Sequence, residues 1–133
     1  MHEFHAWIGL SPVPGEDYDA EAAFDNTLED LRSLIAGLRW GDTHVDLFSV
    51  NGTSFLNVTV NPNRHRTEGE SLDTVLAFVA QRMPGSWGLV YDRDDSMPQP
   101  YGPNSFRVRA IARGAIFERS DPFLSPCNPV IED

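Results

Sequence analysis

The sequence predicts an α+β fold in two layers, a mostly antiparallel sheet with two helices on one face. Its order is a ferredoxin-like βαββαβ core extended by a C-terminal β-hairpin. Three observations predict this. Apolar residues recur at every second position in six short stretches and at every third or fourth in two longer ones. Two dipeptides, Asn51-Gly52 and Arg113-Gly114, each separate a pair of alternating stretches in the manner of hairpin turns. Both helical stripes need an apolar sheet face to bury them, and the order strand, helix, hairpin, helix, strand, hairpin supplies one. A chain of 133 residues holds one such core, so residues 1–133 read as a single domain.

The first strand is written in Phe4, Ala6, Ile8 and Leu10, which alternate with His5, Trp7 and Gly9 before Pro12 and Pro14-Gly15 break the ladder. From Asp19 to about Arg39, the residues Phe24, Leu28, Leu31, Ile35 and Leu38 draw one stripe down a helix, and Gly41 marks a stop beyond it. In the first hairpin, 44–50 and 53–60, counting outward from Asn51-Gly52 sets Leu47 against Leu56 and Val45 against Val58. Phe48 and Phe55 then pair on the other side. Asn61 to Arg66 reads as a polar connection. Leu72, Val75, Leu76 and Val79 trace the second helix, which ends before Pro84-Gly85. Residues 87–91 form the fourth strand, and Asp92 to Pro103 reads as a long turn-rich loop. The last hairpin, 106–112 and 115–119, sets Ile111 against Ile116 and Ala110 against Phe117, with Arg107 and Arg109 facing away from Phe106 and Val108. The proline-rich segment from Asp121 to Pro129 is expected to lie against the body.

Composition narrows the function. Twenty acidic side chains against ten basic ones leave a net charge of -10, which disfavours direct binding of nucleic acid, because phosphates need a positive surface. The stretch from Met1 to Trp7 has neither the basic start nor the apolar run of an export signal or a membrane span, so a cytoplasmic location is expected. Cys127 is the lone cysteine, which excludes an internal disulfide.

No chemical motif rises above background. His2 and His5 point to opposite faces of a strand, His44 and His65 stand apart, and their spacing builds no zinc site. Cys127 lies between prolines without a sign of activation, and no serine sits in a nucleophile elbow. The carboxylates are the unusual feature. Eight acids (Glu3, Glu16, Asp17, Asp19, Glu21, Asp25, Glu29, Asp30) precede the first arginine, and Asp92, Asp94 and Asp95 form a second group. A solvated face is the plain reading of both groups; a charge-complementary protein surface is the functional one. Trp7 and Trp87 read as filling the sheet, whereas Tyr101, fenced by Pro100 and Gly102-Pro103, is the best candidate for an exposed anchor.

Three segments then carry a resemblance: Glu3-Phe4-His5-Ala6-Trp7-Ile8, the run from Pro84 to Asp95, and Asp121-Pro122-Phe123-Leu124-Ser125-Pro126 with Ile131-Glu132-Asp133. Together with Phe106-Arg107-Val108 and Arg113-Gly114, they resemble the immunity protein 7 family. Ala6 stands where that family often looks glycine-like, and Trp87 where it often has tyrosine. The resemblance implies an immunity protein of a bacterial polymorphic toxin or contact-dependent inhibition system. Such a protein binds and neutralises a cognate toxin domain without covalent chemistry, catalytic residues, metal or cofactor. The partner it implies is a basic toxin, with a nuclease as the candidate activity, and neither nucleic acid nor membrane; the protein itself is expected as a monomer or weak homodimer. The expected toxin-facing residues are Glu16, Asp17, Asp19, Glu21, Asp92, Asp94, Asp95 and Tyr101. A small acidic adaptor or regulatory binding protein, and a small carboxylate-dependent hydrolase, stand as alternatives.

Overall fold

The computed structural model of the protein describes residues 2–13, 18–63, 67–96 and 105–121. Its elements in chain order are β1 (His2–Leu10), α1 (Tyr18–Gly37), β2 (His44–Val50), β3 (Thr53–Asn63), α2 (Thr67–Arg82), β4 (Trp87–Asp94), β5 (Arg107–Ala112) and β6 (Ala115–Ser120). The six strands form one sheet in the order β2-β3-β1-β4-β5-β6, and every neighbouring pair is antiparallel. Each helix therefore joins two strands that have one other strand between them.

Alternation in β1 decides which face becomes the core. Phe4, Ala6, Ile8 and Leu10 are buried and join one apolar cluster with Leu56, Val58 and Val60 of β3, Val90 of β4 and Ile111 of β5. The same cluster receives Leu28 and Leu31 from α1 and Leu72, Val75, Leu76 and Val79 from α2. Phe24 and Ile35 of α1, with Leu38 just beyond its end, pack against the cluster as half-buried margins. The two predicted helical faces are thus the ones that pack, because burying a Leu or Val contributes about 1.5–3 kcal/mol while either exposed flank contributes nothing comparable.

Both turns follow the sequence reading. Asn51 and Gly52 have φ of 51° and 81°, and Arg113 and Gly114 have 52° and 74°, the left-handed pair that a type I′ hairpin demands. The registers follow from the turns: Leu47 opposes Leu56, Phe48 opposes Phe55, and Ala110 opposes Phe117.

Two elements are longer than their sequence signals. β3 continues through Asn63, where a polar connection was expected, because β1 still offers a partner and His2 pairs with Asn63. β4 continues through Asp94, so Asp92 belongs to a strand and not to a loop: Asp92 opposes Phe4 on one side and Arg107 on the other. The expected placement of residues 122–129 lies outside the described residues.

Candidate functional site

Beyond Val90 the helix-facing side of the sheet turns from apolar to charged. Asp92 is wholly buried. Arg107 on β5 donates to both of its carboxylate oxygens, Nε to Oδ1 at 2.9 Å and Nη2 to Oδ2 at 2.5 Å. Arg109, two residues along and so on the same face, donates Nη2 to Asp92 Oδ2 at 2.8 Å and Nη1 to Asp73 Oδ1 of α2 at 2.6 Å. Glu118 on β6 closes the group, 3.5 Å from Arg107 Nη1. Burial opposes the charge on Arg107, but the Asp92 hydrogen bond and the charges of Asp92, Glu118 and Asp73 outweigh it and raise the guanidinium pKa. A carboxylate gripped by two arginines has its oxygens already engaged and is closed off from water, so it has none to offer a substrate. The cluster ties β4, β5 and α2 together.

His2 lies at the margin of the same group, packed against Gly69 so closely that a methyl there would strike its ring. Its Nε2 is buried without a hydrogen-bond partner among the described residues. Burial lowers its pKa; Arg107 and Arg109 act in the same direction, against the opposing pull of Asp92 and Asp94.

The opposite face of the sheet is covered by no element among the described residues. Three rows of side chains cross it. The middle row runs Asp46, Asn57, Trp7, Leu89, Ala110, Phe117 from β2 to β6. Above it run Phe48, Phe55, Gly9, Trp87, Ala112 and Ala115, and below it His44, Thr59, His5, Tyr91, Val108 and Arg119. Trp7 is 53% exposed, Trp87 50%, Phe117 47% and Leu89 44%. Gly9 is required here, since a side chain at that position would collide with the Trp87 indole lying over it. Trp7 meets Tyr91 edge-on at 6.1 Å, and Tyr91 meets Phe106 at 5.5 Å. Glu3 and Arg93 form an ion pair of 2.9 Å at the lower margin.

The predicted toxin-facing residues scatter. Glu16, Asp17 and Tyr101 lie outside the described residues. Asp19 and Glu21 fall in the first turn of α1, and the structure describes their backbone but not their side chains. Asp95 is exposed. Asp94 receives both the backbone N–H of Ser96 at 2.9 Å and its hydroxyl at 2.6 Å, so it shapes the turn after β4. Asp92 is corrected: its carboxylate faces two arginines inside the protein and offers nothing to a partner. Trp7 and Trp87 are corrected in the other direction, from sheet filling to half-exposed surface. The signal for both was their parity: they fall on the side of their strands opposite Ile8 and Val90.

Among the described residues no group of three His, Cys, Asp or Glu side chains is arranged to hold a metal ion, and no helix is long and apolar enough to cross a membrane.

Fold and surfaces together define an acidic two-layer α+β protein with a charged cluster locked inside it and a broad aromatic face that no described element covers. The sequence model of the family described as Immunity protein 7 matches residues 1–133, the whole chain, and the chain belongs to that family. Family membership makes it an immunity protein, the counterpart of a toxin. No curated protein and no solved structure matches the chain.

Proposed function

We propose that this protein neutralises one cognate toxin in the cytoplasm by binding it without covalent chemistry and without a reaction of its own. The observation that carries the reading is the family match over the full chain. The charge of -10 supports a basic toxin, of which a nuclease is the leading class because such enzymes must hold a phosphate backbone. The acids near the start of α1 (Glu16, Asp17, Asp19, Glu21), with Asp94, Asp95 and Tyr101, remain the proposed contact set. Asp92 is left out of it. The strand order β2-β3-β1-β4 with its two helical crossovers supports a ferredoxin-like core, and the one apolar cluster supports a single domain.

Against the hydrolase alternative stands the Asp92 cluster, where arginines already occupy the acceptor positions a catalytic pair would need. Toxin-binding kinetics at low and high salt test the placement. Neutralising Glu16, Asp17 and Asp19 together is expected to slow association and to flatten its salt dependence. An unchanged rate and affinity, for this variant and for one lacking the charges of Asp94 and Asp95, would remove the acidic set from the interface.

A further inference from the structure

We propose that the open face of the sheet is a self-association surface, on which a second copy of this chain docks sheet to sheet. The first observation is apolar exposure. Trp7, Val50, Trp87, Leu89 and Phe117 each expose between 44% and 53% of their surface on that one side. A contiguous apolar patch of this kind marks a contact in a soluble protein.

Charge selects the occupant. The open face holds the mutually paired Glu3 and Arg93, with Asp46 and Arg119 on the two outermost strands, so its formal charge is balanced. Asp25, Glu29, Asp30, Glu70 and Asp73 all lie on the helices, the far side of the molecule. A basic partner drawn by the net charge is therefore drawn to the helical side. A second copy meets no such mismatch. Sheets stack about 10 Å apart, and a helix layer adds about 10 Å on each side, so the two acidic layers would stand about 30 Å apart. That is several times the screening length of about 8 Å at physiological salt.

Shape and area agree with this occupant. Trp7, Gly9, Phe48, Val50, Phe55 and Trp87 line an open hollow of about 440 Å³ that reaches from β2 to the start of β4, whereas Phe117 projects from the β5-β6 half beside the small Ala110 and Ala112. A two-fold axis parallel to the strands and between β1 and β4 would lay one half over the other. That axis sets β6 of each copy over β2 of the other, so the Phe117 ring would meet the Asp46 position at the margin of the hollow, and the edge carrying Asp46 would approach the edge carrying Arg119. Six strands at about 4.8 Å spacing and six residues at about 3.3 Å give a footprint of about 24 by 20 Å before the rings are counted. That flat area of about 480 Å² per copy lies below the roughly 800 Å² per partner of a standard interface and fits a weak dimer.

Sedimentation velocity on the purified full chain, from about 1 to about 300 μM, tests the proposal. These concentrations bracket an affinity in the micromolar range. The wild type is expected to dimerise within that range at about 0.15 M and at about 1 M salt alike, because the acidic layers already stand beyond the screening length. Leu89→Arg and, separately, Phe117→Arg are expected to weaken dimerisation at least about tenfold with unchanged circular dichroism, whereas Asp25→Asn leaves it intact. A wild type that stays monomeric at both salts overturns the proposal. So does a dimer that both arginine variants leave unchanged. If the monomer shields its tryptophans from a quencher until residues 122–133 are removed, the chain's own tail is the occupant and the proposal fails. If the monomer shields them only when toxin is added, the toxin is the occupant, and the proposal fails while the immunity reading stands.

Discussion

Asp92 and Arg107 face each other across β4 and β5 as a two-pronged ion pair, with both carboxylate oxygens engaged and the carboxylate wholly removed from water. The pair, together with Arg109, replaces apolar packing at one end of the sheet with charge. Removing the central carboxylate leaves two guanidinium groups facing each other in a poorly hydrated site.

Asp92→Ala is therefore expected to destabilise the protein by roughly 3–5 kcal/mol, the range for breaking a buried pair on one side only. Asp25→Ala, on an exposed side chain of α1, is expected to change stability by less than about 0.5 kcal/mol. Urea unfolding of both variants checks the contrast. Equal stability of the two would mean that the charged cluster is not structural.

The core gives a second expectation. Leu56 is wholly buried between β1 and β2, so Leu56→Ala is expected to cost about 2–5 kcal/mol from lost burial and the cavity it leaves. The same denaturation series measures it.

Gly9→Ala tests the Trp87 platform. The added methyl would meet the indole ring, so the ring must swing away or the strand must shift, at a cost of about 1–3 kcal/mol. A changed tryptophan emission spectrum together with a lower unfolding midpoint is the expected result. An unaltered spectrum would show that Trp87 does not lie over Gly9.

His2 adds a pH dependence. Burial, reinforced by Arg107 and Arg109, holds its folded pKa below the ordinary imidazole value, which is about 6.5. Between the folded value and about 6.5 the unfolded chain therefore binds more protons, and the stability that neutral His2 contributes is lost as pH falls through that window. His2→Asn is expected to flatten the slope of stability against pH below about 6.5. A slope identical to that of the wild type would assign the acid sensitivity to other groups.

Much of the fold was legible in the sequence because its signals are local. Leu28, Leu31, Leu72 and Leu76 declare their helices by spacing alone, and Asn51-Gly52 fixes the register of four core residues at once. The end of β4 was not legible, since Asp92-Arg93-Asp94-Asp95 carries the composition of a loop. What makes a strand of its first three residues is two neighbours, β1 and β5, and the arginines at 107 and 109 that neutralise Asp92. Their shared face could be read from sequence, but the identity of their counter-ion lay fifteen residues away. The open aromatic face was half legible: Phe48 and Phe55 were assigned to it by register. The two tryptophans were not, because periodicity states which side a residue takes and not whether anything covers that side.

The immunity reading meets its most direct test in a titration of the purified cognate toxin with this protein at physiological salt. Toxin activity is expected to fall to zero at a fixed molar ratio and to return when the complex is separated, with both proteins chemically unchanged. Toxin activity that persists undiminished in the presence of excess protein would contradict the account.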